Sequence, residues 1–423
     1  MMIYMTIIIG GLHIMLINGL LLYIDPSTGS MLFAVIIGMV SALFFGFKAF
    51  IMKMKSRLGV NMKDIQDKNK LDYVIFSDHK RYWNVFEPIC DEFEKRGIEV
   101  HYWTMSNDDP ALSKPYKYVK CEFIGSGNKG FAKLNFMNAR ICLSTTPGLD
   151  VYQWKKSKDC DYYIHIVHAP GLNRGGYKMF GMDYFDTILS ASDHGLDYVR
   201  ELERKRGLKP KEIITVGVTY LDEMKKRYEK TERIKNDIPV ILIAPSWGDS
   251  SLLERFGHKI LDAAIDTGYK VVVRPHPQTL TQNPKLLNEF QSKYKDIEWN
   301  FDNDNFDILN RSDIMISDFS GVIFDYSLIF DKPVIHTKTD FDWSTYDGAV
   351  LDDKSWTDRT LAKFSEELNE ENISNLKDII DNMLNSDKYN AGRKEVKEEI
   401  WQNVGKASET TVEYLVNKIN ELN

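Results

Sequence analysis

Twice along this chain, short β-branched runs alternate with segments of helical periodicity, and that order constrains the fold more than any other feature. The first series predicts strands over Tyr73–Phe76, Glu99–Trp103, Tyr118–Ile124, Arg140–Ser144, Tyr162–Val167, Thr187–Ser190 and Ile213–Val216, with a helix over Trp83–Arg96. The second predicts strands over Pro239–Ile243, Lys270–Val273, Ile314–Ser317 and Pro333–Ile335, with a helix over Ser250–Thr267 closed by Gly268. Strands separated by helices return by crossovers. Crossovers produce parallel sheets covered by helices on both faces. The charged stretch Glu229–Asn236 separates the two series.

The expectation is an α/β chain of GT-B-like architecture, two Rossmann-type domains facing a crevice. Their limits are 71–233 and 236–357. From Asp358 the pattern is helical to the end. Val412, Leu415, Val416 and Ile419 share one face of the last segment, so residues 358–423 should pack back on the domains.

The N-terminus differs. Residues 2–23 carry no charged side chain, and a second apolar run follows over 31–47 after the turn Asp25–Ser30. Lys48, Lys53, Lys55 and Arg57 come next. Apolar runs of this length suggest a transmembrane hairpin over 1–57, with 58–70 as a linker. The basic cluster then predicts a multi-pass protein of the cell membrane with both catalytic domains cytoplasmic. A net charge of −7 excludes a global basic field for nucleic acid. The four cysteines, Cys90, Cys121, Cys142 and Cys160, form no CxxC and read as reduced packing thiols.

Chemistry concentrates in a few runs. Ser317-Asp318-Phe319-Ser320-Gly321-Val322-Ile323-Phe324-Asp325-Tyr326 follows the apolar strand Ile314–Ile316. Its turn of small and hydroxylated residues opens a helix near Val322, which aims backbone N–H groups and a positive helix end at one point. That arrangement suits a phosphate. Arg274-Pro275-His276-Pro277 leaves the end of Val271–Val273, with the cation and imidazole two residues apart on a stiffened segment. Ligands of open α/β sheets bind off the carboxyl ends of strands. Arg274, Ser317, Asp318, Ser320 and Gly321 are therefore candidate donor-phosphate ligands, with Asp318 and Ser320 equally suited to capping.

His168 follows an apolar strand and precedes the loop Gly171–Gly176. An imidazole there suits a general base or a structural hydrogen bond. His165 points to the opposite face. Arg174 in that loop, and the run Asp78-His79-Lys80-Arg81 after the first strand, with Asp78 and His79 foremost, are candidates for an acceptor phosphate or for solvated loop positions. Asp302-Asn303-Asp304 has the form of a DxD metal motif but reads as a solvated turn, and neither metal nor cofactor is expected.

Over roughly 160–345 the chain resembles the CDP-glycerol glycerophosphotransferases, the teichoic-acid primases and polymerases. The resemblance rests on His168 in Val-His-Ala-Pro-Gly, on Ala244-Pro245-Ser246-Trp247, and on the Arg-Pro-His-Pro and Ser-Asp-Phe-Ser-Gly-Val-Ile-Phe-Asp-Tyr runs. It implies transfer of a phospho-polyol from a CDP-linked donor to a lipid-linked or polymer hydroxyl, in cell-wall biogenesis at the membrane. It also implies that His168 and His276 are catalytic and that Ser246 lies by the donor phosphate. Ala169-Pro170, Gly248 and Gly321 depart from the family's usual residues and leave the alcohol open. The alternative is a GT-B glycosyltransferase taking a nucleotide sugar in capsule or lipopolysaccharide assembly.

Overall fold

The computed structural model describes residues 6–9, 12–17, 20–23, 43, 70–170, 176–194, 196–302, 304–338, 342–353 and 356–422. The chain divides into two units, 1–70 and 71–423. In the first, β1 (Thr6–Ile9), β2 (Leu12–Ile17) and β3 (Leu20–Tyr23) form an antiparallel sheet. This corrects the expected first membrane span. Ile9 pairs with Leu12 and Ile17 with Leu20, so two residues, Gly10-Gly11 and then Asn18-Gly19, separate the paired ends. Those dipeptides flanked by apolar runs are hairpin signals, and the β-branched isoleucines favour strand.

Among the described residues no helix is long and apolar enough to cross a membrane, which overturns the multi-pass membrane localisation. Apart from Leu43, the second apolar run and the 58–69 stretch lie outside the described residues.

In the second unit, β4 (Leu71–Ser77), β5 (Val100–Thr104), β6 (Val119–Phe123), β7 (Ala139–Ser144), β8 (Cys160–Ile166), β9 (Thr187–Ser190) and β10 (Glu212–Thr215) form one parallel sheet, ordered β10-β9-β8-β7-β4-β5-β6. A second parallel sheet, β13-β12-β11-β14-β15-β16, is built from β11 (Val240–Ile243), β12 (Lys270–Val273), β13 (Glu298–Trp299), β14 (Ile314–Ser317), β15 (Val334–Thr337) and β16 (Ser365–Leu368). Both sheets are buried on two faces, and the period of two sorts their side chains. On β4, Tyr73 and Ile75 join Phe86, Phe93 and Tyr102, while Val74 and Phe76 join Trp103 and Trp154. On β11, Val240 and Leu242 pack with Tyr326 and Phe330, while Ile241 and Ile243 pack with Leu261 and Phe290.

Two predicted elements are revised. The helix over Ser250–Thr267 is broken into Leu252–Phe256 and His258–Asp266, because Gly257 takes φ 52° between them. The tail is not wholly helical. β16 adds a strand at the edge of the second sheet, paired to β15.

The halves of this unit are joined in three places. Thr219 Oγ1, on the helix Thr219–Lys230, donates to Val85 O at 2.6 Å, and Tyr220 on the same helix donates to Asp325 Oδ1 at 2.6 Å. Tyr177–Phe180 lies against Thr345–Asp347, with Met179 N donating to Thr345 O at 3.1 Å and Asp347 N to Tyr177 O at 2.9 Å. Asp347 is held further by Arg206 at 2.6 Å. Finally, the chain returns to the first sheet. Gly217, at φ 96°, leaves room for the Gln402 carbonyl, which a Cβ would approach to 2.7 Å. Asp222 caps the helix Ala407–Leu422 through Gly405 N at 2.7 Å and Ala407 N at 2.9 Å.

Candidate active site

Each sheet has one switch point, where neighbouring strands send their chains in opposite directions. In the first it lies between β4 and β7, in the second between β11 and β14. Crevices open at the carboxyl ends of such strand pairs. The loops that leave these four strands carry Arg81 and Tyr82, Thr145 to Pro147, Ala244 to Trp247, and Phe319 to Gly321, and His168 leaves the neighbouring β8. A cavity of about 660 Å³ is lined by members of all these loops together with Arg274, His276, Tyr220 and Asp325. A second, of about 550 Å³, shares His168, His276, Ser320 and Gly321 with it and extends to Ser246, Trp343 and Asp358.

The imidazoles are held in different ways. His276 caps the helix Pro277–Gln282, and its Nδ1 accepts from Gln278 N at 3.2 Å. With Nδ1 acting as acceptor, the proton of a neutral ring sits on Nε2, which is left to donate. His168 Nδ1 lies 2.8 Å from Thr145 Oγ1, and its ring packs on Tyr82 at 5.0 Å between centroids. A side chain anchored through Nδ1 leaves Nε2 for chemistry. His165 is fully buried, 3.1 Å from the Tyr177 hydroxyl.

Burial holds both His168 and His276 at about 4, and the Arg81 charge adds to it; burial also puts His165 at about 3. All three are neutral at neutral pH. An unfolded imidazole titrates near ~6.5. Between about 6.5 and about 4 the unfolded chain therefore binds more protons than the native one. Their contribution to stability is fully present above that window and is lost as pH falls through it. Burial raises Asp325 to about 6 and also raises Asp222, Asp318 and Asp347, and these carboxyls act in the opposite sense over the lower part of the range; His79 and His336, lowered by burial, add to the three imidazoles. Urea unfolding midpoints are expected to drop between about pH 7.5 and about pH 5. A midpoint unchanged or higher at the acid end would contradict this.

Several expected ligands do other work. Ser317 Oγ donates to Ala244 O at 2.5 Å, and the side chain is fully buried. Asp318, also fully buried, accepts from Ser246 N at 2.9 Å, Leu252 N at 2.7 Å and Ser320 N at 3.2 Å. Ser317 lines neither cavity, and Asp318 reaches the wall of the smaller one with its carboxylate already bonded to three N–H groups, so both shape the turn. The Arg274 guanidinium lines the larger cavity but is turned to Asn300 Oδ1 and, at 2.8 Å, to Asp302 O. Asp304 caps Phe306 N at 2.9 Å and pairs with Arg227, so the DxD-like carboxylates are engaged locally.

Asp78 and His79 line neither cavity, and His79 Nδ1 instead accepts from Arg81 N at 3.1 Å. Arg174 lies outside the described residues. Ser320 and Gly321 do open on both cavities at the start of the helix Val322–Phe330. At Gly321 a Cβ would meet nothing within 4 Å, so that position is open space. Ser246 lines the smaller cavity, with its N–H held by Asp318. The sequence reading missed Thr145, which follows β7 at the switch point, and Tyr220, which comes in on the helix Thr219–Lys230.

The model of the family described as CDP-Glycerol:Poly(glycerophosphate) glycerophosphotransferase matches residues 134–417, well over half of the chain. A teichoic acid glycerol-phosphate primase of Bacillus spizizenii is 25% identical over 234 residues, which cover 52% of this chain and 59% of the primase. A teichoic acid poly(ribitol-phosphate) polymerase of the same organism is 25% identical over 220 residues, 45% of this chain and 34% of the polymerase. The chain thus spans less than two thirds of these relatives' length. The solved structure of the wall teichoic acid polymerase TagF superposes with a TM-score of 0.56 at 16% identity, covering 91% of this chain and 98% of that one. A putative UDP-N-acetylglucosamine 2-epimerase from Listeria monocytogenes superposes with a TM-score of 0.53 at 13% identity, covering 83% and 97%. At these identities the likeness is one of fold.

Proposed function

The chain belongs to the CDP-glycerol:poly(glycerophosphate) glycerophosphotransferase family, and from that premise we propose that it moves a phospho-polyol from a CDP-linked donor to a hydroxyl on a cell-wall polymer. The observation that carries this reading is the meeting of His168, His276 and the turn at Ser320-Gly321 around one pair of adjoining cavities. The acceptor hydroxyl loses its proton to His168 Nε2 as its oxygen forms a bond to the donor's distal phosphorus. The bond from that phosphorus to the bridging oxygen breaks, and CMP leaves with the electron pair. The Nε2–H of His276 and the N-terminus of the helix Val322–Phe330 stabilise charge on the phosphates. A neutral His276 suits this task, because it donates without needing a proton from solvent. The smaller cavity, walled by Trp247 and Trp343, has the mixed apolar and polar character of a nucleoside site.

Calorimetry with CDP tests the donor. The protein is expected to bind CDP, and His276→Ala to weaken that binding by about 1.5–3 kcal/mol, the range for a hydrogen bond to a charged group. A variant that binds CDP as tightly as wild type would remove His276 from the donor site. A protein that prefers UDP-sugars to CDP would favour the glycosyltransferase alternative.

A further inference from the structure

Cationic side chains reach the larger cavity, yet the one expected to meet the donor phosphate, Arg274, is engaged elsewhere. Three basic side chains reach its walls: Arg81, Lys178 and Arg274. Arg274 is tied to Asn300 and to the Asp302 carbonyl. Lys178 donates to Thr345 Oγ1 at 2.9 Å and lies 4.1 Å over the Tyr346 ring. Arg81 differs from both. It is exposed, in a short turn off the end of β4, and among the described residues it forms no ion pair. Its guanidinium stands 5.2 Å from the Tyr82 ring centroid, and the His168 imidazole lies 5.0 Å from the same ring. Its charge also reaches His276 on the second half.

Arg81 also donates to the Tyr82 hydroxyl, which fixes the guanidinium while leaving further N–H groups of its fork for phosphate oxygens. We propose that Arg81 is the phosphate-binding cation of this cleft, meeting from the first half a phosphate that the second half receives at His276 and Ser320. The inference rests on the donor reading above, but its chemistry is that of any phosphate held between the halves. Two sources are available, the diphosphate of the nucleotide and the phosphodiester next to the attacking hydroxyl. In either case Arg81 couples binding to apposition of the halves, because neither half alone presents the whole set of donors.

The test compares wild type with Arg81→Gln and Arg81→Lys. Because Arg81 is exposed, both variants should melt with wild type. If the donor diphosphate is the ligand, Arg81→Gln weakens CDP roughly ten- to hundredfold and leaves cytidine unchanged. If the acceptor supplies the phosphate, CDP affinity holds, while KM for a glycerol-phosphate oligomer rises by a similar factor with kcat little changed. Arg81→Lys should recover part of either loss. A lysine as poor as glutamine would point to packing and overturn the proposal, as would unchanged CDP affinity together with unchanged KM. Inorganic pyrophosphate separates this from the donor reading. If wild type binds pyrophosphate but not CDP, and Arg81→Gln loses it, the phosphate site stands and the CDP donor falls. If wild type binds neither, the site falls too.

Discussion

Replacing His168 by alanine is expected to lower turnover about 10²–10⁴-fold, the range for loss of a general base. CDP affinity should stay near that of wild type. The split follows from the geometry. His168 leaves β8 in the first sheet and is anchored by Thr145, whereas the turn and imidazole assigned to the donor belong to the second sheet. Donor binding should not need the first imidazole, so the loss belongs in kcat. Single-turnover rates with calorimetry on the same preparation separate the two. Retention of more than about a tenth of the wild-type rate, well short of the general-base range, would remove His168 from the proton transfer.

Asp318→Ala should have the largest effect on stability. Its carboxylate is fully buried and receives N–H bonds from the β11 loop, from the helix Leu252–Phe256 and from its own turn. Alanine leaves three backbone donors without their acceptor. Each bond to a charged group is worth roughly 1.5–3 kcal/mol, and with incomplete additivity the expected loss is about 3–5 kcal/mol. Donor affinity should fall as well, because the carboxylate sets the spacing between Ser246 and Ser320. Urea unfolding would measure the first and calorimetry the second. A loss below about 1 kcal/mol, the centre of the distribution for point mutants at large, would mean that the turn holds its shape without the carboxylate. Asp318→Asn separates charge from shape. It keeps one acceptor oxygen but turns an NH₂ toward backbone donors.

What could be read in advance follows a physical rule. Strands buried on both faces announce themselves as β-branched runs, and β4, β8, β11, β12 and β14 were visible for that reason. β13 and β16 were not. The first has two residues, and the second, Ser365-Glu366-Glu367-Leu368, is a polar edge. The break at Gly257 depends on a positive φ inside an otherwise periodic helix, which periodicity alone does not show. At the N-terminus, apolar length outweighed the turn signals of Gly10-Gly11 and Asn18-Gly19, and the strands show that the turn signals mattered more.

In the site, histidines after apolar strands were legible because strand ends point to crevices. The engagement of Arg274 was not, because its partner Asn300 lies beyond an intervening pair of helices. Arg81 was legible as one of the run Asp78-His79-Lys80-Arg81 after the first strand, and strand order sets that strand at the switch point.

The helix Ala407–Leu422 carries a consequence for how the protein is made. Val412, Leu415 and Ile419 belong to the same cluster as Phe86, Phe93 and Ile141, so a helix far downstream in sequence completes the core around the first strands of the 71–423 unit. A ribosome releases the chain N-terminus first, and a domain usually closes as it emerges. Here the early sheet waits, with the helix Trp83–Arg96 lacking the cover of Val412 and Leu415, until residues 407–422 have emerged. A stop codon placed just before Ala407 would therefore strip the first half while leaving the second sheet's strands intact. Such a truncated chain should be recovered as aggregate, although its second-half residues are all present.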